Sequence, residues 1–178
     1  LIIKLGALGD VVLATPLLAQ LLDVHAADRV TLLTAPDYRE LLSGFPDLDI
    51  VAFRRKGLVS MSRLLCWLLG QQFDVVYDLQ GSLRSHIITL LTQAQQRAGP
   101  APALAYTHAP LTGVPGSHAF DRFNAVLLVA GLDAAPAVPL LPPDTVAVSR
   151  VDVWLQQQAL SSRRLVLMHA GASPRWPS

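Results

Sequence analysis

The segment Lys4-Leu5-Gly6-Ala7-Leu8-Gly9-Asp10 holds two glycines three residues apart, followed by a carboxylate. Glycines at that spacing let the backbone turn sharply and let a ligand approach where no Cβ stands. A helix opening after the turn supplies free N–H groups and the positive end of its dipole, so an anionic or hydroxyl-bearing substrate suits this corner. The segment lacks Gly-Lys-Ser/Thr and does not have the GxGxxG spacing, so the generic nucleotide loops are excluded. Asp10 then has two readings. As a helix N-cap it would accept first-turn N–H bonds, contributing about 0.5–2 kcal/mol. As a general base it would take the proton of a sugar hydroxyl while that oxygen attacks. The two compete, because N–H bonds stabilise the ionised carboxylate and weaken it as a base.

Further along lies Tyr77-Asp78-Leu79-Gln80-Gly81-Ser82-Leu83-Arg84-Ser85. Asp78 interrupts an otherwise buried apolar strand, which favours a satisfied structural carboxylate with Arg84 or the Ser82 hydroxyl as partner. Arg54-Arg55-Lys56, next to Gly57, is either a solvated turn or a cluster that binds phosphate or carboxylate groups; it is too small to track a nucleic acid. His118 or Asp121 caps a helix start. His25, His86 and His108 show no ligand spacing, and no cluster suggests a metal. The single cysteine, Cys66, excludes an internal disulfide and reads as a buried, inert thiol in an apolar run.

These groups need elements to hold them. Short β-branched runs alternate with Leu-rich segments of helical period, the pattern of βαβ units around a parallel sheet covered on both faces. Strands are expected at Leu1 to Leu5, Val30 to Leu33, Ile50 to Phe53 and Val75 to Leu79. Helices are expected from Val11 to about Ala26, with Pro16 as its awkward residue, and at Tyr38 to Leu42, Met61 to Leu69, Leu83 to about Arg97, His118 to Gly131 and Asp144 to Gln158. Four prolines (Pro136, Pro139, Pro142, Pro143) crowd Ala134 to Pro143 into a semi-rigid crossing. Arg164 to Met168 reads as another strand, entering a Gly/Ser turn that ordinarily introduces a helix. Leu1 stands where a start residue would, so both ends look cut and the chain reads as a piece of something longer. The 178 residues, 52% hydrophobic and 15% charged with a net charge of +1, exclude disorder and a nucleic-acid polycation. No apolar run approaches the roughly 18–20 residues of a membrane-spanning helix.

Four segments, LIIKLGALGDVVLATPLL, FDVVYDLQGSLRS, HAFDR and HAGASPRWP, follow one another in this order. Together they resemble the successive landmarks of glycosyltransferase family 9, the lipopolysaccharide heptosyltransferases. The resemblance implies the N-terminal half of a GT-B glycosyltransferase, an α/β protein built on a Rossmann-like parallel sheet. It divides the chain into an acceptor domain (1–133), a Pro-rich linker with a connecting helix (134–163) and the start of a truncated donor-binding domain (164–178). The implied reaction is inverting transfer of heptose from ADP-L-glycero-D-manno-heptose to the Kdo/heptose inner core, with ADP-heptose as substrate and neither cofactor nor metal. Asp10 falls on the family's general base, Gly9 faces the donor, and Arg54, Arg55 and Lys56 fall on the acceptor-binding loop. Gly171, Ala172, Ser173 and Arg175 fall on the donor-phosphate turn, Arg175 standing near the place of a family lysine. An Arg-Glu-Pro segment common in relatives is replaced here by Pro100-Ala101-Pro102-Ala103, removing one acceptor-binding arginine. The implied partners are an ADP-sugar, a lipid A–Kdo acceptor at the membrane surface and a C-terminal domain beyond Ser178. The implied location is cytoplasmic, peripheral at the inner face of the bacterial inner membrane. The competing reading is a non-catalytic Rossmann-like module that binds a nucleotide or anion. An NAD-type dehydrogenase is disfavoured, since Thr34-Ala35-Pro36 closes the second strand without an acid.

Overall fold

Five short strands pair in parallel: β1 (Ile2–Ile3), β2 (Val30–Thr34), β3 (Leu48–Ala52), β4 (Val75–Asp78) and β5 (Gln96–Ala98), in the order β3-β2-β1-β4-β5. The structure is a computed structural model that describes residues 1–54, 57–112 and 118–168. Register sets Ile3 beside both Leu33 and Asp78, so the carboxyl ends of β1, β2 and β4 emerge on one edge. Strand order reverses direction at β1, which places the chain leaving β1 at the crevice where α/β sheets bind ligands.

Side-chain alternation along the strands supplies two cores. Ile2, Leu32 and Tyr77 face one side, packing against Val11, Leu17 and Leu21 and against Phe123 and Val126. Ile3, Leu33 and Val76 face the other, against Leu64, Leu68 and Ile88. A sheet buried on both faces is what continuous apolar strands require.

The helices are α1 (Leu8–Leu13), α2 (Thr15–Val24), α3 (Leu58–Leu69), α4 (Leu83–Leu91), α5 (Ala119–Val129) and α6 (Thr145–Gln157). The single helix expected from Val11 is two. Pro16 has no N–H to donate and is tolerated only in a first turn, so α2 restarts with it there, after Ala14. The helix expected at Tyr38 is a pair of 3-10 turns, Pro36–Tyr38 and Glu40–Leu42. α4 ends at Leu91, well short of Arg97. Thr92 turns its hydroxyl onto Thr89 O at 2.7 Å and Gln93 takes a left-handed φ of 53°, after which Gln96–Ala98 becomes the edge strand β5. Cys66 is exposed, because Leu64 and Leu68 define the buried stripe of α3 and Cys66 lies on the opposite face.

One compact unit runs from Leu1 to Pro142. Its last stretch is tied down by polar bonds. Ala135 N donates to Asn124 Oδ1 (2.8 Å), Leu140 N to Thr15 Oγ1 (2.8 Å) and Gln20 Nε2 to Asp133 O (2.7 Å). The second unit, Pro143–Ser178, contains α6, capped by Asp144, whose carboxylate accepts from Val146 N and Ala147 N. Arg164 to Met168 forms no strand. Among the described residues nothing pairs with its backbone, and Leu167 and Met168 are 97% and 87% exposed. Among the described residues no helix is long and apolar enough to cross a membrane.

Candidate active site

Leaving β1, the chain passes Lys4 and Leu5 and turns at Gly6, whose φ of 134° is open only to glycine; a Cβ there would come 3.0 Å from Tyr38 Oη. Ala7 is extended and occupies the N-cap of α1 without a side-chain cap. The N-cap reading of Asp10 is therefore corrected: the helix starts at Leu8, and Asp10 already stands inside its first turn. Its carboxylate is directed instead to Lys4, Oδ2 to Nζ at 3.4 Å, with Asp10 39% and Lys4 2% exposed. Gly9 beside it is exposed, with open space where a Cβ would stand.

Lys4 is the residue that sequence reasoning left without a role. Its side chain shares the Ile2 face of β1, and Nζ lies 3.4 Å from Leu79 O and 4.2 Å from the centroid of the Phe123 ring. Burial pulls its ammonium below the ordinary lysine value; Asp10, and more weakly Asp78, oppose this, while Arg122 adds to it. A lysine inside an apolar strand was the available signal.

Asp78, fully buried, closes β4. Oδ1 accepts from Gln80 N (2.8 Å) and Gly81 N (3.0 Å), and Tyr106 Oη donates to Oδ2 at 2.6 Å. The structural reading of Asp78 holds, but with other partners than expected. Ser82 is engaged with Ser85 in the capping box of α4, and Tyr106 arrives from beyond β5. The turn that Asp78 shapes then supports β1: Gln80 Oε1 accepts from Leu5 N at 2.9 Å. His118 caps α5 as one of its two expected candidates, Nδ1 accepting from Phe120 N at 3.3 Å.

The buried pairs set a pH dependence. Between the lowered folded value of Lys4 and its ordinary 10.5, the unfolded chain holds the additional proton, so stability rises with pH through that window. The Tyr106 phenol is pushed up, first by burial and then by Asp78. Above its ordinary 10.0 the unfolded chain loses a proton that the folded chain keeps, and stability falls. The urea midpoint is expected to climb with pH through the window below 10.5 and to turn over near pH 10. Lys4→Met should flatten the part of the climb above pH 8, where the buried Leu1 amine no longer contributes, and Tyr106→Phe should reduce the fall, which the raised Tyr77 phenol shares; an unchanged profile in both would refute this assignment.

Arg54 follows β3 on the same carboxyl edge, two strands from β1 and so about 10 Å across the sheet. It is exposed and lines an open cavity of about 650 Å³ together with Phe53, Arg63 and Trp67. Arg63, in the second turn of α3, was not singled out from sequence; the signal was a second cation shortly after the basic loop. Arg55, Lys56, Gly171, Ala172, Ser173 and Arg175 lie outside the described residues. Among the described residues no group of three His, Cys, Asp or Glu side chains is placed to hold a metal ion.

No protein-family model and no curated protein sequence matches the chain. Solved structures do. A glycosyl transferase family 9 protein from Veillonella parvula superposes with a TM-score of 0.75 at 19% identity, covering 92% of this chain and 50% of that one. The fold is that of glycosyltransferase family 9. The likeness of fold extends to E. coli ADP-heptose lps heptosyltransferase II (TM-score 0.63, 17% identity, 92% of this chain and 51% of that one). It extends also to E. coli heptosyltransferase WaaC with ADP (0.57, 18%, 75% and 48%). The chain thus spans about half the length of these structures. The Rossmann-like sheet with helices on both faces, expected as half of a GT-B enzyme, is what it shares with them.

Proposed function

We propose that this chain is the acceptor-side half of an inverting family 9 glycosyltransferase, with Asp10 as its general base. The observation that carries the reading is the Asp10 carboxylate, accessible at the carboxyl edge of the sheet and backed by a buried lysine, on a fold shared with heptosyltransferases. The donor is ADP-L-glycero-D-manno-heptose and the acceptor the Kdo/heptose inner core of lipopolysaccharide, met at the inner membrane face. One of the neighbouring structures is WaaC with ADP-2-deoxy-2-fluoro heptose, which supports a nucleotide-sugar donor. In this reading residues 1–133 make the acceptor domain, 134–163 a Pro-rich linker and connecting helix whose first stretch, to Pro142, packs on that domain, and 164–178 the start of the donor domain.

In the reaction the acceptor hydroxyl oxygen attacks the anomeric carbon from the face opposite the leaving group. Its proton passes to Asp10, and the bond from that carbon to the phosphate oxygen breaks with the electron pair leaving on ADP. Gly9 leaves room for the donor sugar. Arg54, with Arg55 and Lys56, neutralises acceptor phosphate or carboxylate, while Gly171, Ala172, Ser173 and Arg175 meet the donor diphosphate. Arg63, which shares the Arg54 cavity, joins the acceptor set.

Calorimetric titration of the 178-residue chain with a Kdo-containing core oligosaccharide and with ADP-heptose separates this from a general nucleotide-binding module. Binding of the acceptor about tenfold tighter than the donor, a difference of about 1.4 kcal/mol, is expected. Tighter binding of ADP-heptose, or no binding of the oligosaccharide, would overturn it.

A further inference from the structure

We propose that Lys4 is the positioning residue for Asp10, holding one carboxylate oxygen so that the other stays turned to the open side of the site; this rests on Asp10 being the base. A carboxylate in the first turn of a short helix, with no cap bond of its own, has freedom about χ1 and χ2. Among the described residues, the neighbour that reaches it from the protein interior is Lys4, with Nζ 3.4 Å from Oδ2. Lys4 cannot follow Asp10 into solvent, because its stem is enclosed between the Phe123 ring, the Leu79 carbonyl and the sheet. The water-accessible part of Asp10 therefore lies on the side away from Lys4. Oδ1 is the oxygen left to meet an incoming hydroxyl.

The same surroundings explain how the arrangement survives the proton transfer. Once Asp10 has accepted the hydroxyl proton it is neutral, and a buried ammonium facing only Asp10 would be stranded. Lys4 keeps the Leu79 carbonyl, the face of Phe123 and the field of Asp78, against the opposing charge of Arg122. Lys4 thus acts through Asp10 without touching substrate, by fixing the oxygen that takes the proton.

Two experiments test this. In the full-length protein, Lys4→Met is expected to lower kcat by about 10²-fold with both KM values held within about threefold, since a misplaced base costs rate and not ground-state binding. Lys4→Arg, which restores a cationic donor, is expected to recover part of the loss. A Lys4→Met enzyme that melts normally and turns over at the wild-type rate overturns the proposal, as does a loss confined to KM. If the Lys4 variants do not fold, nitrogen NMR of the Lys4 ammonium in the 178-residue chain decides. Its titration midpoint should fall in Asp10→Asn, because the Asp10 charge holds it up. An unmoved midpoint shows that the two groups are not paired and overturns the proposal. Failure of Asp10 as base appears separately, as an Asp10→Asn enzyme that still transfers.

Discussion

Asp10→Asn in the full-length protein is expected to cut the transfer rate by roughly 10²- to 10⁴-fold while leaving the fold in place. The substitution keeps the shape of the side chain and removes the site that accepts the acceptor proton. The asparagine carbonyl can still accept from Lys4 Nζ, so the buried ammonium keeps a neighbour at that point. Asp10 is 39% exposed and outside both apolar cores, so the melting temperature should change little. A 10³-fold loss corresponds to about 4 kcal/mol of transition-state stabilisation. Product formation at saturating donor and acceptor is the measurement, with thermal melting as control. A variant that transfers at near the wild-type rate would remove Asp10 from the chemistry and the proposed function with it.

Gly99→Ala is expected to produce the largest loss of stability among single-atom additions near the site. A Cβ at position 99 would fall on the ring of Tyr106, at Cε2, Cζ and Cδ2, far inside van der Waals contact. The ring cannot yield without moving its hydroxyl, which donates at 2.6 Å to the fully buried Asp78. Overpacking of this kind costs about 1–3 kcal/mol, and leaving a buried acceptor short of its donor adds about 1–3 kcal/mol. The displacement does not stop there. Asp78 shapes the turn through Gln80 N and Gly81 N, and Gln80 holds Leu5 N, so the edge that presents Asp10 loosens as well. Urea unfolding of Gly99→Ala beside Tyr106→Phe reads the two parts. The phenylalanine variant should lose only the hydrogen-bond share. Equal losses would mean that the glycine is not needed for the fit of the ring.

Strands β1 to β4 were legible because each is a largely apolar run with β-branched residues, and alternation such as Ile2 against Ile3 is readable without knowing what covers each face. β5 was not legible. Gln96-Arg97-Ala98 has neither alternation nor β-branching, and it is a strand only because β4 offers it a partner. The division of α1 from α2 was half-legible, since Pro16 announced a break whose position depended on how the chain left Gly6. At the site, the glycine turn, Asp10 and Arg54 were visible as residue types at a strand end. Their supports were not. Lys4 is four residues into the chain and its ring partner is Phe123; Asp78 looked to Ser82 and Arg84 nearby and found Tyr106. Such pairings follow from strand order and helix placement, which local patterning does not encode.

Leu165 to Met168 lie open, between 53% and 97% exposed, with Arg163 and Arg164 the only charges immediately before them. A short apolar run whose backbone pairs with none of the described residues, with no proline and with β-forming side chains, is a template for intermolecular strand pairing. The net charge of +1 supplies almost no colloidal repulsion to oppose it. Self-association of the 178-residue chain should therefore start at this run and grow with concentration, with the two arginines acting as its gatekeepers.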